Sequence, residues 1–174
     1  MHRRVRAVTL HLSTAVTGLS LIQLTSADVA VYYELVDRNR EHLSKHGDYQ
    51  SECEATPQWV VDHLAALPVT GHCFGMWLDG GLIGRVDLVP VDPPRYGFGY
   101  WVDHGHSRRG LMTSAYASAL RHARDDLQAT DVFAGVTHGN DGSVALLRRL
   151  GFERIAQLDD YDRFQLTLAA DEPR

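Results

Sequence analysis

The sequence predicts an α/β (α+β) domain, a mixed sheet of about six or seven strands flanked by about four helices. Three observations predict it. Short alternating runs rich in β-branched and aromatic residues recur between Leu19 and Leu168. Longer stretches between them carry apolar residues at helical spacing. The two kinds of segment follow one another as β-α-α-β-β-β-α-β-α-β-β, with Gly, Pro, Asn or Asp at most of the joints.

Each element has its own signal. Leu19-Ser20-Leu21-Ile22-Gln23-Leu24 alternates as a first strand. Ser26 is the expected N-cap of a helix from Asp28 to about His46, with Val31, Tyr32, Leu35, Val36 and Leu43 on its apolar face and Gly47 at its end. Pro57 suits the first position of a second helix, whose apolar face is Val60, Val61, Leu64 and Leu67. Cys73 to Leu78 and Leu82 to Leu88 form a hairpin around Asp79-Gly80-Gly81, and Pro90, Pro93 and Pro94 are expected to break the second strand. An aromatic strand covers Tyr96 to Val102, and a polar loop covers Asp103 to Arg109. A long helix runs from about Gly110 to Asp126, then come a strand at Asp131–Val136 and a helix at Ser143–Leu150 closed by Gly151 at C′. Phe152–Leu158 and Arg163–Leu168 are the last strands.

Length and composition narrow the function. The 174 residues fit one domain, assigned to residues 18–168, with 1–17 as a loose extension or extra edge strand and 169–174 as a tail. A net charge of −5 gives no basic footprint for nucleic acid. No apolar run approaches the ~20 residues of a membrane span. The basic start Met1-His2-Arg3-Arg4-Val5-Arg6 precedes a segment with no clear h-region, so the expected compartment is the cytoplasm. Cys53 and Cys73 stand in neither a CxxC nor a dense framework, and His104 and His106 lack a visible third ligand, so no metal is expected.

The chemistry concentrates in Tyr100-Trp101-Val102-Asp103-His104-Gly105-His106-Ser107-Arg108-Arg109-Gly110-Leu111-Met112-Thr113. A strand ends, a loop turns, and a helix begins. Amides at a helix start point outward, and the dipole there favours an anion. Gly110 allows close approach of a ligand, and Arg108 and Arg109 add charge at the same mouth. A pyrophosphate fits such a site. Read alone, the segment is equally an ordinary strand-to-helix turn with two solvated arginines.

A second segment, Asn140-Asp141-Gly142-Ser143 followed by Leu150-Gly151-Phe152, also leaves a strand and opens a helix. Together the two resemble the GNAT acetyltransferase superfamily. Ser107-Arg108-Arg109-Gly110-Leu111-Met112 is similar to its pyrophosphate loop, [QR]-x-x-G-x-[GA], with Ser107 and Met112 departing from it. Val36 to Leu43 and Gly99-Tyr100-Trp101-Val102 resemble the RimJ/RimL branch, which acetylates protein N-terminal amines. The resemblance covers roughly residues 18–168. It implies a mostly antiparallel sheet with a V-shaped splay between strands 96–102 and 131–136. It also implies acetyl-CoA held by Trp101, Val102, Arg108, Arg109, Gly110, Leu111, Met112, Thr113, Asn140 and Ser143, and direct transfer to an amine. Dimers are common in this branch, and a homodimer is compatible with the sequence.

The resemblance leaves the acid and base of the reaction thinly supplied. The family's helix tyrosine is missing from Val144–Leu150, and the branch resemblance assigns Ser143 as acid; as a residue it reads equally as a helix cap. The family's strand glutamate falls on Gly97. Asp87 is the substitute base, although an Arg85–Asp87 surface pair explains it better, and His72, Tyr100, His104 or a water chain are further options. Asn39, His42, His46, Tyr100 and His104 are the acceptor-side candidates, joined by Tyr49 and Gln50, and one of Tyr100 and Trp101 is expected to face the core and the other the cleft. The expected acceptor is a protein or peptide N-terminal α-amine. A small amine, or an acetyl-CoA sensor without turnover, are the alternatives.

Overall fold

A computed structural model describes residues 9–70 and 72–168, so the basic N-terminal residues and the 169–174 tail lie outside the described residues. Eight strands form one sheet: β1 His11–Ser13, β2 Leu19–Gln23, β3 His72–Leu78, β4 Gly81–Asp92, β5 Arg95–Val102, β6 Asp131–Thr137, β7 Glu153–Gln157 and β8 Tyr161–Thr167. Six α-helices accompany them: α1 Val29–Arg38, α2 Arg40–Ser44, α3 Gln50–Cys53, α4 Pro57–Thr70, α5 Leu111–Asp125 and α6 Asp141–Arg149. The sheet order is β1-β2-β3-β4-β5-β6-β8-β7. Every neighbouring pair is antiparallel except β5 with β6.

That parallel pair positions the site. β5 and β6 share only the register Arg95↔Asp131, Tyr96↔Val132 and Gly97↔Phe133. Beyond Gly97 the strands part, and among the described residues no strand pairs with that edge of β5 from Phe98 to Val102. The splay lies where the sequence resemblance implies it.

Apolar cores form on both faces of the sheet. One gathers Leu21, Phe74, Val86, Tyr116, Leu147 and Phe164 under α5 and α6. The other gathers Tyr32, Leu35, Val60, Leu64 and Trp101 under α1 and α4. Helices α1, α4, α5 and α6 each turn one buried stripe toward the sheet.

Several elements differ from the sequence reading, each for a local reason. The cap before α1 is Thr25 rather than Ser26: its hydroxyl accepts from Ala27 N, and Asp28 returns a carboxylate to Thr25 N, a capping box on a 3₁₀ turn. The expected single helix to His46 breaks at Asn39, whose side chain is spent on long-range hydrogen bonds described below. A short α3 was not foreseen. Val61 is exposed, because the buried stripe of α4 runs Val60, Leu64, Leu67 and position 61 lies about 100° off it. β4 continues past Pro90 to Asp92, since the ladder becomes irregular between Pro90 and Asp92, where a missing N–H is tolerated.

Candidate active site

The splay opens into a cleft of about 640 Å³, within the range of ligand sites. At one end lies the loop between β5 and α5. Arg108 and Gly110 both take left-handed backbone, φ 59° and 73°. For an arginine that conformation is strained by about 1–2 kcal/mol. It turns successive amides toward one concavity, the geometry of an anion nest. The first bond of α5 runs from Ser114 N to the Gly110 carbonyl, 3.2 Å, so the amides of Leu111, Met112 and Thr113 precede the helical ladder. No acidic residue occupies this first turn, so the dipole's positive end is uncompensated. A Cβ on Gly110 would meet nothing within 4 Å, so conformation and ligand approach, not crowding, call for glycine there. These features fit a pyrophosphate.

The loop is anchored at Asp103. Its Oδ1 accepts from Asn39 Nδ2 at 2.7 Å and from Arg38 Nε at 3.2 Å, and its Oδ2 lies 2.7 Å from His106 Nδ1. Asn39 Oδ1 in turn accepts from His104 N, 2.9 Å. Burial alone would raise the Asp103 pKa, but the bonds from Asn39, His106 and Arg38 win and hold it below its ordinary value. Asn39 is therefore 1% exposed and positions the loop from below, away from the acceptor side where the sequence put it.

Across the cleft stands the start of α6. Asn140 Oδ1 accepts from Ser143 N at 3.2 Å, so Asn140 is the cap. The capping alternative for Ser143 is corrected by this bond, and the Ser143 side chain lines the cleft. Gly151, φ 91°, closes α6 as expected, with its N–H on the Arg148 carbonyl.

The third wall comes from α2 and the segment between α2 and α3. His42, Lys45, His46, Asp48 and Tyr49 line the cleft. Two side chains tie this wall to the splayed strands: Asp48 Oδ1 accepts from Thr137 Oγ1 on β6, and the Tyr49 hydroxyl donates to the Tyr100 carbonyl on β5. Partial burial pushes the Asp48 carboxyl above its ordinary pKa, while His46 works against it. Burial, with His104 nearby, lowers the pKa of His42, whose ring centroid is 5.1 Å from that of His104.

Trp101 and Tyr100 both contribute to the cleft but point to opposite faces. Trp101 is 4% exposed and belongs to the core under α1 and α4. The Tyr100 ring packs edge-on against Tyr116, centroids 5.1 Å apart, under α5. Burial pushes the Tyr100 pKa up to about 12, with the Ser143 hydroxyl acting the other way and the Asp48 charge adding to the rise.

The geometry therefore brings together Trp101, Val102, Arg108 to Thr113, Asn140, Ser143, His42, His46 and Tyr100. It leaves Asp87, Asn39 and His104 outside the lining. Asp87 is not free to act as a base, and its pair with Arg85 is no surface pair. Arg85 is 7% exposed, with Nε 2.8 Å from Asp87 Oδ2 and Nη1 2.8 Å from Glu52 Oε1. It also meets the Tyr32 hydroxyl. β4 is an interior strand roofed by α1 and α4, so its outward-facing polar residues are buried and must pair. Asp48 and Glu52 were missed in the sequence. Their only signal is two carboxylates in a polar stretch. Among the described residues no group of three His, Cys, Asp or Glu could hold a metal ion, and no helix is long and apolar enough to cross a membrane.

Comparison with known proteins agrees with this geometry. A family model described as "Acetyltransferase (GNAT) domain" matches residues 19–153. "Putative ribosomal N-acetyltransferase YdaF" of Bacillus subtilis (strain 168) is 25% identical over 129 residues, 68% of this chain and 69% of that protein. A solved RimL, a ribosomal L7/L12 alpha-N-protein acetyltransferase in complex with coenzyme A, superposes with a TM-score of 0.81 at 17% identity, covering 92% of this chain and 99% of the other. Mycobacterium smegmatis RimJ in complex with CoA-disulfide gives 0.79 at 20% identity, covering 96% and 90%. At such identities the two solved structures speak for the fold.

Proposed function

The chain belongs to the GNAT acetyltransferase family, and from that premise we propose that its acceptor is the α-amine at the N-terminus of a protein or peptide. It is an acetyl-CoA-dependent N-acetyltransferase. The observation that carries the acceptor class is the chemistry of the third wall. Its carboxylate, Asp48, is held by Thr137, and the other groups beside it that could take a proton, among the described residues, are imidazoles such as His42 and His46, too weak as bases to strip a lysine ammonium.

Such a site suits an amine that is already partly neutral. An α-amino group titrates at about 7.7–8.0 and a lysine amine at about 10.4. At about pH 7.5, neutralising the first costs well under 1 kcal/mol and the second roughly 4 kcal/mol, at about 1.36 kcal/mol per unit. Relatives described as ribosomal-protein acetyltransferases support the same reading.

Each wall has a task in this reading. Amides of Arg109 to Thr113 receive the pyrophosphate, with Arg108 and Arg109 adding charge. The unpartnered edge of β5 at Trp101 and Val102 pairs with the extended pantetheine arm as a strand would. Asn140 has spent its Oδ1 on Ser143 N and keeps Nδ2 as a donor toward the arm. Asp48 attracts the incoming ammonium to the mouth, and His42, Lys45 and His46 shape the space open to the acceptor's next residues. The bound thioester supplies the acetyl group to the amine nitrogen, and Ser143 faces the sulfur that departs.

The test is release of free thiol from acetyl-CoA with matched peptides that differ only in offering an α- or an ε-amine, beside amino acids, polyamines and amine antibiotics. Faster turnover on the α-amine peptide is expected. Faster turnover on the ε-amine, or on a small amine alone, overturns the acceptor assignment.

A further inference from the structure

Among the described residues, eight buried side-chain atoms have no hydrogen-bond partner, and Tyr100 Oη and Trp101 Nε1 are the two that belong to cleft-lining residues. Trp101 turns its ring away, against Tyr32 and Tyr49, at centroid distances of 6.5 Å to each. Tyr100 turns its ring to the side of Ser143. A buried phenol without an acceptor is costly, and in the wall of a cleft a bound ligand can supply the missing acceptor.

The phenol is also fixed in place. Its ring stands edge-on to Tyr116 at 82°, and Tyr116 is itself stacked on Phe98 at 3.8 Å and edge-on to Phe152 at 5.8 Å. Its backbone is held by the Tyr49 hydroxyl on the Tyr100 carbonyl. Ser143 lies beside the Tyr100 hydroxyl without forming a regular hydrogen bond to it. Tyr116 is buried and unpartnered too, but it does not line the cleft and serves as the wedge behind Tyr100.

We infer that the Tyr100 hydroxyl is a preorganised hydrogen-bond donor to the sulfur of coenzyme A, stabilising the thiolate that departs on transfer. The inference rests on the acetyltransferase reading of the cleft. In the transfer, the amine lone pair forms the new C–N bond, the C–S pair leaves on sulfur, and the extra nitrogen proton passes to solvent. Tyr100 keeps its own proton. With its pKa near 12 against about 8.5 for a thiol, transfer to sulfur is uphill by about 3.5 units, roughly one part in 3,000. A charge-assisted hydrogen bond needs no transfer and acts where charge develops.

The test needs no turnover. The thiol of coenzyme A bound to the protein is titrated by its thiolate absorbance, as a difference against S-methyl-coenzyme A, which cannot ionise. Wild type and Tyr100→Phe are compared, and the affinity for S-methyl-coenzyme A reports on the fold of the site. The expected result is a bound-thiol pKa about one unit higher in Tyr100→Phe, with S-methyl-coenzyme A affinity within about twofold of wild type. Equal thiol pKa values with intact binding overturn the inference and leave the acetyltransferase reading standing. Equal loss of affinity for coenzyme A and its S-methyl form also overturns it, assigning Tyr100 to structure. A wild type that binds neither ligand overturns the reading of the cleft itself, and the inference with it.

Discussion

At the cofactor end of the cleft, the proposed contacts come from the end of β5 at Trp101 and Val102, the six consecutive residues Arg108 to Thr113, and the first turn of α6. The acceptor wall is instead held by bonds across 89, 51 and 33 positions of sequence, from Asp48 to Thr137, Tyr49 to Tyr100 and Glu52 to Arg85. The first end takes its shape from local backbone geometry, which a short motif carries, with a single distant anchorage through Asn39 and Arg38 at Asp103 and His104. The second is an assembly, and each of its side chains acquires its role only when a distant strand arrives. A family can therefore keep one donor while the acceptor changes, because the two ends draw on different parts of the chain.

The largest expected effect comes from removing the footing of the acceptor wall. Arg85→Met leaves Glu52 and Asp87 buried without their cation and should cost about 3–5 kcal/mol, read from urea unfolding. A loss under about 1 kcal/mol would mean that water reaches the cluster. The next test sets the ends against each other. Gly110→Ala strains a backbone at φ 73° by about 1–2 kcal/mol and should raise the acetyl-CoA KM while leaving the acceptor KM unchanged. Asp48→Asn should do the reverse, raising the acceptor KM about tenfold, near 1.4 kcal/mol. If either variant moves both constants equally, the two ends are coupled and the comparison fails.

The smallest effect is one of pH. Burial lowers the pKa of His63, with Arg85 adding to the shift, and likewise that of His72, with His122 adding. Both are neutral in the fold and take up protons more readily when unfolded. Their contribution is complete above the unfolded value of about 6.5 and is lost as pH falls through the lowered folded values. The urea midpoint should hold from about pH 8 to 7 and decline on acidification below about 6.5. His63→Phe, which keeps a ring against Trp59, should make the decline shallower.

The same contrast decides what the sequence could reveal. Gly110 and Gly151 were legible because their geometry depends on neighbours within a few residues, whereas the cap of α6 was read at Ser143 and lies at Asn140. The splay followed from the family resemblance built on those motifs. The break at Asn39 was not legible, because its cause is Asp103 and His104, more than 60 positions away. Nor was the burial of Arg85 and Asp87: alternation along β4 shows that they share a face, but only α1, α3 and α4 decide that this face is dry. Asp48 carries no local signal, since its partner Thr137 sits at the end of another strand.

One feature of the sheet bears on how long the enzyme survives in a cell. Among the described residues, three register pairs, Arg95–Asp131, Tyr96–Val132 and Gly97–Phe133, with the bond from Thr130 N to the Pro94 carbonyl at their end, form the backbone seam between the first five strands and the last three. On the proposed seating, acetyl-CoA fills the gap beyond that seam, and a ligand at 100 times its Kd adds about 2.7 kcal/mol to the folded state. Forms open enough for a protease would then become about a hundredfold rarer when the metabolite is plentiful. The abundance of the protein, and not only its rate of turnover, would then track the acetyl supply.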